Sequence, residues 1–321
     1  MKEFQNIIKE DIQLFDKKFK DTLSTKSELL YKVTSYLSKN SGKKIRPVCA
    51  IIASGLVNNI TDKTYRSAIL IELIHTATLV HDDIVDDAQM RRAQFSINTI
   101  WKNKIAVLTG DYFLAKGLQI AVQNKDYDIL QLISNVVGKI VEGELVQIDK
   151  TKKLNLKEAD YFNIIKLKTA SLFECAFELG GIAADAEKEK IQSLKDLGLI
   201  IGMMFQIKDD ILDYNLLRYT GKKSGNDIKE GKINLPLLYS LSKMKFIEKR
   251  KSISILRSKK NTTQDIEFIF NMVKKYEGID FAKSIINKYY NQAKIIITTF
   301  EEGKYKKSIY SLLDFLIDRT K

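Results

Sequence analysis

The 321-residue chain is 45% hydrophobic and 29% charged, the balance of a globular protein rather than a disordered or fibrous one. Its net charge of +13 favours anionic partners: nucleic acid, a membrane surface or phosphorylated small molecules. With only two prolines, and no Gly or Pro between Leu56 and Thr109, it has too few turn residues for a β-sandwich or an alternating α/β fold.

In chain order, Phe4, Ile8, Ile12, Phe15 and Phe19 recur at three- and four-residue spacing and predict an amphipathic first helix. This N-terminal stretch is too charged for a signal peptide. The loop "SKNSGKKIRP" (38–47) follows, with Pro47 suited to the first position of the next helix. Residues 47–61, uncharged but containing Asn58 and Asn59, fall short of the roughly 20 apolar residues of a membrane span. Cys49 and Cys175 lie in apolar stretches and read as free thiols. With only His75 and His81 beside them a zinc site is not expected, and a cytoplasmic chain without a transmembrane segment is.

Helical periodicity then covers about Tyr65 to Gln89, Leu108 to Val122, 129–148, 158–182 and 191–217. Gly198 and Gly202 would permit close helix packing. A second polar loop spans Tyr219 to Pro236, and Lys-rich breaks divide the helical tail after Leu237. There is no repeat of fixed period and no clear linker, so the expectation is an all-α fold forming a single domain over residues 1–321.

Charge is unevenly placed in "HDDIVDDAQMRR" (81–92), where Asp82, Asp83 and Asp86 make a DDxxD spacing. On a helix, positions i and i+4 share a face with Cβ atoms about 5–6 Å apart, and like charges there repel. A hard divalent cation removes that cost and shares its oxygen ligands with phosphate. A solvated acidic helix end would look the same, but "FQIKDDILD" (205–213) repeats the spacing at Asp209, Asp210 and Asp213, again inside an apolar helical pattern. Cations lie close in sequence: Lys43, Lys44 and Arg46 in the first loop, Arg91 and Arg92 after the first motif, Lys168 beside Thr169, and Lys222 and Lys232 after the second motif. Two carboxylate sets with Lys and Arg suit a polyphosphate, and no P-loop is present. His75, two turns before Asp82, is a candidate phosphate donor, whereas Asp87 receives no role.

These segments resemble the trans-type polyprenyl diphosphate synthases. The resemblance runs in order through "GKKIRP" (42–47), "ELIHTATLVHDDIVDDAQMRR" (72–92), "AVLTGDYFLAK" (106–116), "EGELVQ" (142–147), "KTASL" (168–172), "GMMFQIKDDILD" (202–213) and "GKKSGNDIKEGKINLPLL" (221–238). Ser41 and Ala93 depart from the glycines usual at those loop positions, and the region after about residue 240 matches only in general character. The resemblance implies an all-α multi-helix bundle around a deep central cavity, and Mg²⁺-dependent joining of isopentenyl diphosphate to an allylic diphosphate. It implies that Asp82, Asp86 and Asp209 ligate about three Mg²⁺ ions, with Asp83, Asp210 and Asp213 in support. Arg91, Lys168, Lys222 and Lys232 would hold the allylic diphosphate, and Lys43, Arg46, His75 and Arg92 isopentenyl diphosphate. Thr169 and Gln206 would border the reacting carbons. By the same resemblance the residues one turn before the first motif help floor a hydrophobic tunnel for the growing chain, and the small Ala77 and Thr78 there, with Ile74 and Ile71 deeper, imply a medium-to-long product such as an octaprenyl chain for quinones, destined for a membrane. A homodimer is implied, and no nucleic acid is expected as a partner. A farnesyl or geranylgeranyl synthase, a terpene cyclase and a non-catalytic subunit of a two-component synthase are the alternatives.

Overall fold

In the computed structural model, residues 2–39, 42–57, 59–91, 94–214, 225–258 and 261–319 are described. Arg92 and Lys222, and the departures at Ser41 and Ala93, lie outside them. The helices are α1 (Glu3–Ile7), α2 (Lys9–Thr22), α3 (Glu28–Lys39), α4 (Ile45–Leu56), α5 (Asp62–Val85), α6 (Ile97–Gln123), α7 (Tyr127–Lys153), α8 (Glu158–Ile165), α9 (Ser171–Ala183), α10 (Lys188–Leu212), α11 (Asn226–Lys229), α12 (Leu235–Lys243), α13 (Phe246–Arg257), α14 (Thr263–Lys275), α15 (Gly278–Thr298) and α16 (Lys304–Asp318). A π-helical turn, Lys166–Ala170, joins α8 to α9, and the strands β1 (Met90–Arg91) and β2 (Gln94–Phe95) form an antiparallel pair. The all-α expectation holds.

The chain divides into two compact units. One comprises Met1–Val137, Leu172–Gly198 and Ile297–Leu312, and the other Gly138–Ser171, Leu199–Ile296 and Leu313–Lys321. In the first unit α5 packs on α2, α4 and α6. The predicted first helix is broken at Ile8 (φ −120°, ψ 40°), yet Phe4, Ile8, Ile12, Phe15 and Phe19 are all buried. Pro47 stands at the third helical position of α4, after the cap Lys44, rather than at the first as expected. It is tolerated because the first four N–H groups of a helix have no intrahelical acceptor. Thr61 caps α5, its hydroxyl accepting from the Thr64 N–H.

The predicted close approaches are present: a Cβ at Gly198 would come within 2.7 Å of the Phe173 carbonyl oxygen, and one at Gly202 within 2.5 Å of the Ala170 Cα. In the second unit α12 packs on α8 and α14, around Leu237, Leu241, Ile255, Ile266, Ile269 and Phe270. Asn234 caps α12.

Helix α6 begins well before the predicted Leu108 and contains one non-helical residue, Lys102 (φ 72°, ψ 161°). Among the described residues it is the one helix whose length and composition would allow it to cross a membrane. Lys104, Asp111 and Lys116 interrupt it, so a search for uncharged runs passes over it.

Candidate active site

In the first unit the acidic motif sits at the C-terminal end of α5, which stops at Val85 rather than near Gln89. Asp86 is the cap, and its N–H still donates to the Asp82 carbonyl at 2.8 Å, so the two keep the relation of adjacent turns. Asp87 then turns left-handed (φ 48°). Its N–H donates to the Ile84 oxygen, and the Ala88 N–H to the Asp83 oxygen at 2.9 Å. This paired closure ends a helix at a residue usually Gly or Asn, and it gives Asp87 the role the sequence left blank.

The three aspartates of the motif differ. Asp82 is half-buried and Asp86 exposed, whereas Asp83 is buried and accepts from the Arg91 Nε at 2.8 Å. Arg91 lies on β1, and the hairpin carries it back to the helix end. Asn98 ties the same turn, donating to the Asp83 and Ala88 carbonyls at 3.2 Å.

Two turns deeper, the Arg46 guanidinium lies over the Phe173 ring and its Nη1 is 3.0 Å from the His75 Nε2. Arginine can only donate, so this nitrogen accepts and the imidazole proton sits on Nδ1. Lys43 is half-buried, and its carbonyl accepts from Gln5 at 2.8 Å. Lys44 is diverted to Asp16 on α2 at 2.7 Å. Glu72, His75, Thr76, Leu79, Val80 and Asp83 form one stripe of α5 and line a cavity of about 80 Å³ with Arg91.

Ala77 is fully buried and Thr78 half-buried. Leu70 and His81 face glycines of α6, a Cβ at Gly110 falling 2.2 Å from the His81 ring and one at Gly117 4.0 Å from Leu70. Ala77 is seven residues from Leu70 and four from His81, so it belongs to the row packed on α6. Thr78, four residues before Asp82, shares the side of the carboxylates.

In the second unit Asp209 and Asp210 occupy the last turn of α10, which ends at Leu212 rather than 217. Asp213 follows, its N–H donating to the Asp209 oxygen at 3.2 Å, and its carboxylate accepts from the Gly225 N–H at 3.1 Å. Asp210 is buried and accepts from the Tyr161 hydroxyl at 2.6 Å, Gln206 Nε2 at 2.9 Å and the Leu235 N–H at 3.2 Å. Burial, reinforced by Asp227, pushes its pKa up to about 7 against those three donors. Asp227 is itself raised by burial, while Asn234 donates to it at 2.9 Å.

The π-helical turn carries Lys168 and Thr169, and such turns are frequent at functional sites. Lys168 pairs with Glu144 and donates to Gln147 at 3.1 Å, while Thr169 donates to the Gln206 Oε1 at 2.8 Å. Lys232 pairs with Glu230 at 2.7 Å. Lys150, Lys168, Lys232, Gln206, Asp210 and Asp227 line a cavity of about 180 Å³. Just past α16, Arg319 donates to Asp209 and to the Phe205 carbonyl, both at 2.7 Å.

Sequence reading assigned no role to Glu144, Gln147, Tyr161, Asp227 or Arg319. Asp227, Glu144 and Gln147 stand inside quoted motifs, and Tyr161 is seven residues before Lys168. Arg319 carries no such signal.

The donor chemistry fits a hard cation. Among the described residues no three His, Cys, Asp or Glu side chains converge on one point. Each motif instead offers one or two carboxylates, the set Mg²⁺ uses when phosphate and water complete its shell.

The family model described as polyprenyl synthetase matches residues 27–273. The chain is 30% identical over 99% of both chains to the short chain isoprenyl diphosphate synthase of Methanothermobacter thermautotrophicus. It is 36% identical to the octaprenyl diphosphate synthase of Escherichia coli over 69% of each. The crystal structure of the polyprenyl synthase from Caulobacter crescentus, complexed with calcium and isoprenyl diphosphate, superposes with a TM-score of 0.93 at 29% identity, covering 99% of this chain and 97% of that one. The chain belongs to the polyprenyl synthetase family and is a prenyltransferase of the trans-prenyl diphosphate synthase type.

Proposed function

We propose that the protein condenses isopentenyl diphosphate with an allylic diphosphate head to tail, using Mg²⁺, and releases diphosphate and a trans-polyprenyl diphosphate of octaprenyl-like length. The observation that carries it is one arrangement found in each unit: a DDxxD motif at a helix end whose second aspartate is held by protein donors, close to Lys or Arg.

By the family resemblance Asp82, Asp86 and Asp209 would hold about three Mg²⁺ ions, whose charge would stabilise the departing diphosphate. Arg91 and Lys168 keep their direction through Asp83 and Glu144, and with Lys232 they supply fixed cations where negative charge collects. Arg46 fixes the orientation of the His75 ring, and with Lys43 the pair binds isopentenyl diphosphate. Thr169 and Gln206 border the reacting carbons. Arg92 and Lys222 keep their proposed places by resemblance alone. No protein nucleophile is required, because the double bond of isopentenyl diphosphate attacks the allylic carbon and the released diphosphate accepts the proton. We further propose that residues 1–321 act as one catalytic domain, in the cytoplasm, as a homodimer. Val107, Leu108, Leu118 and Val122 form an exposed apolar row on α6 that a second copy would cover.

Incubation with radiolabelled isopentenyl diphosphate, farnesyl diphosphate and Mg²⁺ should give a chain extended by many units, and chelator should abolish it. Product from the allylic substrate alone would instead identify a cyclase, and no turnover by the purified chain a subunit needing a partner. A short-chain product is the second reading, favoured by the Methanothermobacter relative that matches end to end. The wild-type product length separates the two, and Thr78→Phe should shorten a long product, whereas an unchanged length removes Thr78 from the tunnel.

A further inference from the structure

The exposed side of α13 joins two features that a water-facing helix does not need together. Phe246 and Ile247 are 78% and 80% exposed at its first turn. Lys249, Arg250, Ile253 and Arg257 continue the side that Phe246 begins, at three- and four-residue spacing, and these residues border one shallow groove. The opposite side carries Ser252, Ile255 and Leu256 into the core of the second unit. The one carboxylate of the helix, Glu248, is turned away and bound by Lys275 at 2.6 Å and by the Tyr276 hydroxyl. Every exposed charge from 242 to 258 is therefore positive.

We propose that this side of α13 docks the protein on an anionic phospholipid bilayer. Phe246 and Ile247 enter the boundary between headgroups and acyl chains, while Lys249, Arg250 and Arg257 meet lipid phosphates. Apolar residues at a helix tip rimmed by Lys and Arg match the two demands of a membrane interface. Nucleic acid would meet the cations equally well, but it offers nothing to an exposed isoleucine. The surface shares no residue with the proposed catalytic set, so the inference does not depend on that function.

The test is co-sedimentation of the full chain with phosphatidylcholine vesicles, with and without phosphatidylglycerol. Binding should require phosphatidylglycerol and fall as salt rises. The paired change Phe246→Ser with Ile247→Ser should weaken it about tenfold or more, and Lys249→Gln with Arg250→Gln by a similar factor, with basal turnover of soluble substrates unchanged. Because all four side chains are exposed, the two variants are independent of folding and of each other. No binding by the wild-type chain, binding indifferent to lipid charge, or variants that bind like wild type would each overturn the proposal. So would retention of RNA in place of vesicles, or an oligomeric state that changes in the Phe246/Ile247 variant, which would make this face a contact between copies.

Discussion

Replacing Asp210 with Asn should stabilise the metal-free protein, and only above acidic pH. The carboxyl is buried beside Asp227, and its pKa rises from the ordinary aspartate value to about 7. Below the unfolded value of about 3.9 both states are protonated and the group costs nothing. As pH rises from there to about 7, the unfolded chain releases its proton first, so the folded state loses stability progressively and carries the full cost above 7. A rise of about three in pKa, at about 1.36 kcal/mol each, amounts to about 4 kcal/mol at pH 8 and about 1.5 kcal/mol at pH 5. Asn fits the same network. Its oxygen can accept from Tyr161 and Leu235, and if the Gln206 amide turns over, Thr169 can accept where it now donates. Thermal and urea unfolding of both proteins from pH 4 to 9 in chelator would measure the gap. It should widen across pH 4–7 and then level. A gap independent of pH, or a less stable variant at pH 8, would refute the account of Asp210 as a strained, partly ionised group. Adding Mg²⁺ with diphosphate should narrow the gap, because a cation favours the carboxylate.

Lys102→Gly should raise the melting temperature, by about 1–2 kcal/mol of stability, because φ 72° with ψ 161° is a region open to glycine and costly for other residues. Arg319→Ala should cost about 2–3 kcal/mol in unfolding free energy, since its buried guanidinium donates to both Asp209 and the Phe205 carbonyl. Asp82→Asn and Asp86→Asn should each lower turnover about 10²–10³-fold with little change in melting temperature. Asp83→Ala should instead destabilise the fold measurably, because it strips a buried partner from Arg91.

The sequence made the two acidic motifs legible because each combines a fixed spacing with an apolar helical background, and both features are local. It also exposed the glycines that let helices approach, since Gly198 and Gly202 interrupt an otherwise apolar stretch. Helix ends were less visible. Asp87 closes α5 by adopting a left-handed conformation, and nothing in "VDDAQ" announces it, because the signal expected there is Gly or Asn. Ala77 and Thr78 looked equivalent as adjacent small residues; a helix turns them about 100° apart, and the glycines of α6 show which of those sides packs on that helix. Arg319 was invisible for a stronger reason. Its partner Asp209 is 110 residues away, and no spacing rule reaches that far.

What the DDxxD spacing encodes becomes clearer when its aspartates are taken one at a time. A helix turns by roughly 100° per residue, so the first and fourth-following positions share a side while the second is rotated away. In α5 the rotated residue is Asp83, which is buried and bound by Arg91. In α10 it is Asp210, which is buried and bound by Tyr161, Gln206 and Leu235. Neither is placed to meet a cation first. Each fixes a neighbouring group, Arg91 in one case and the Tyr161–Gln206–Thr169 chain in the other, and so sets the directions of donors that a diphosphate would meet. The repeated motif thus divides its work by geometry. On the proposed function, the residues on the shared side would bring charge to a cation and the residue between them would hold the surrounding donors still, the part of catalysis that must be complete before substrate arrives.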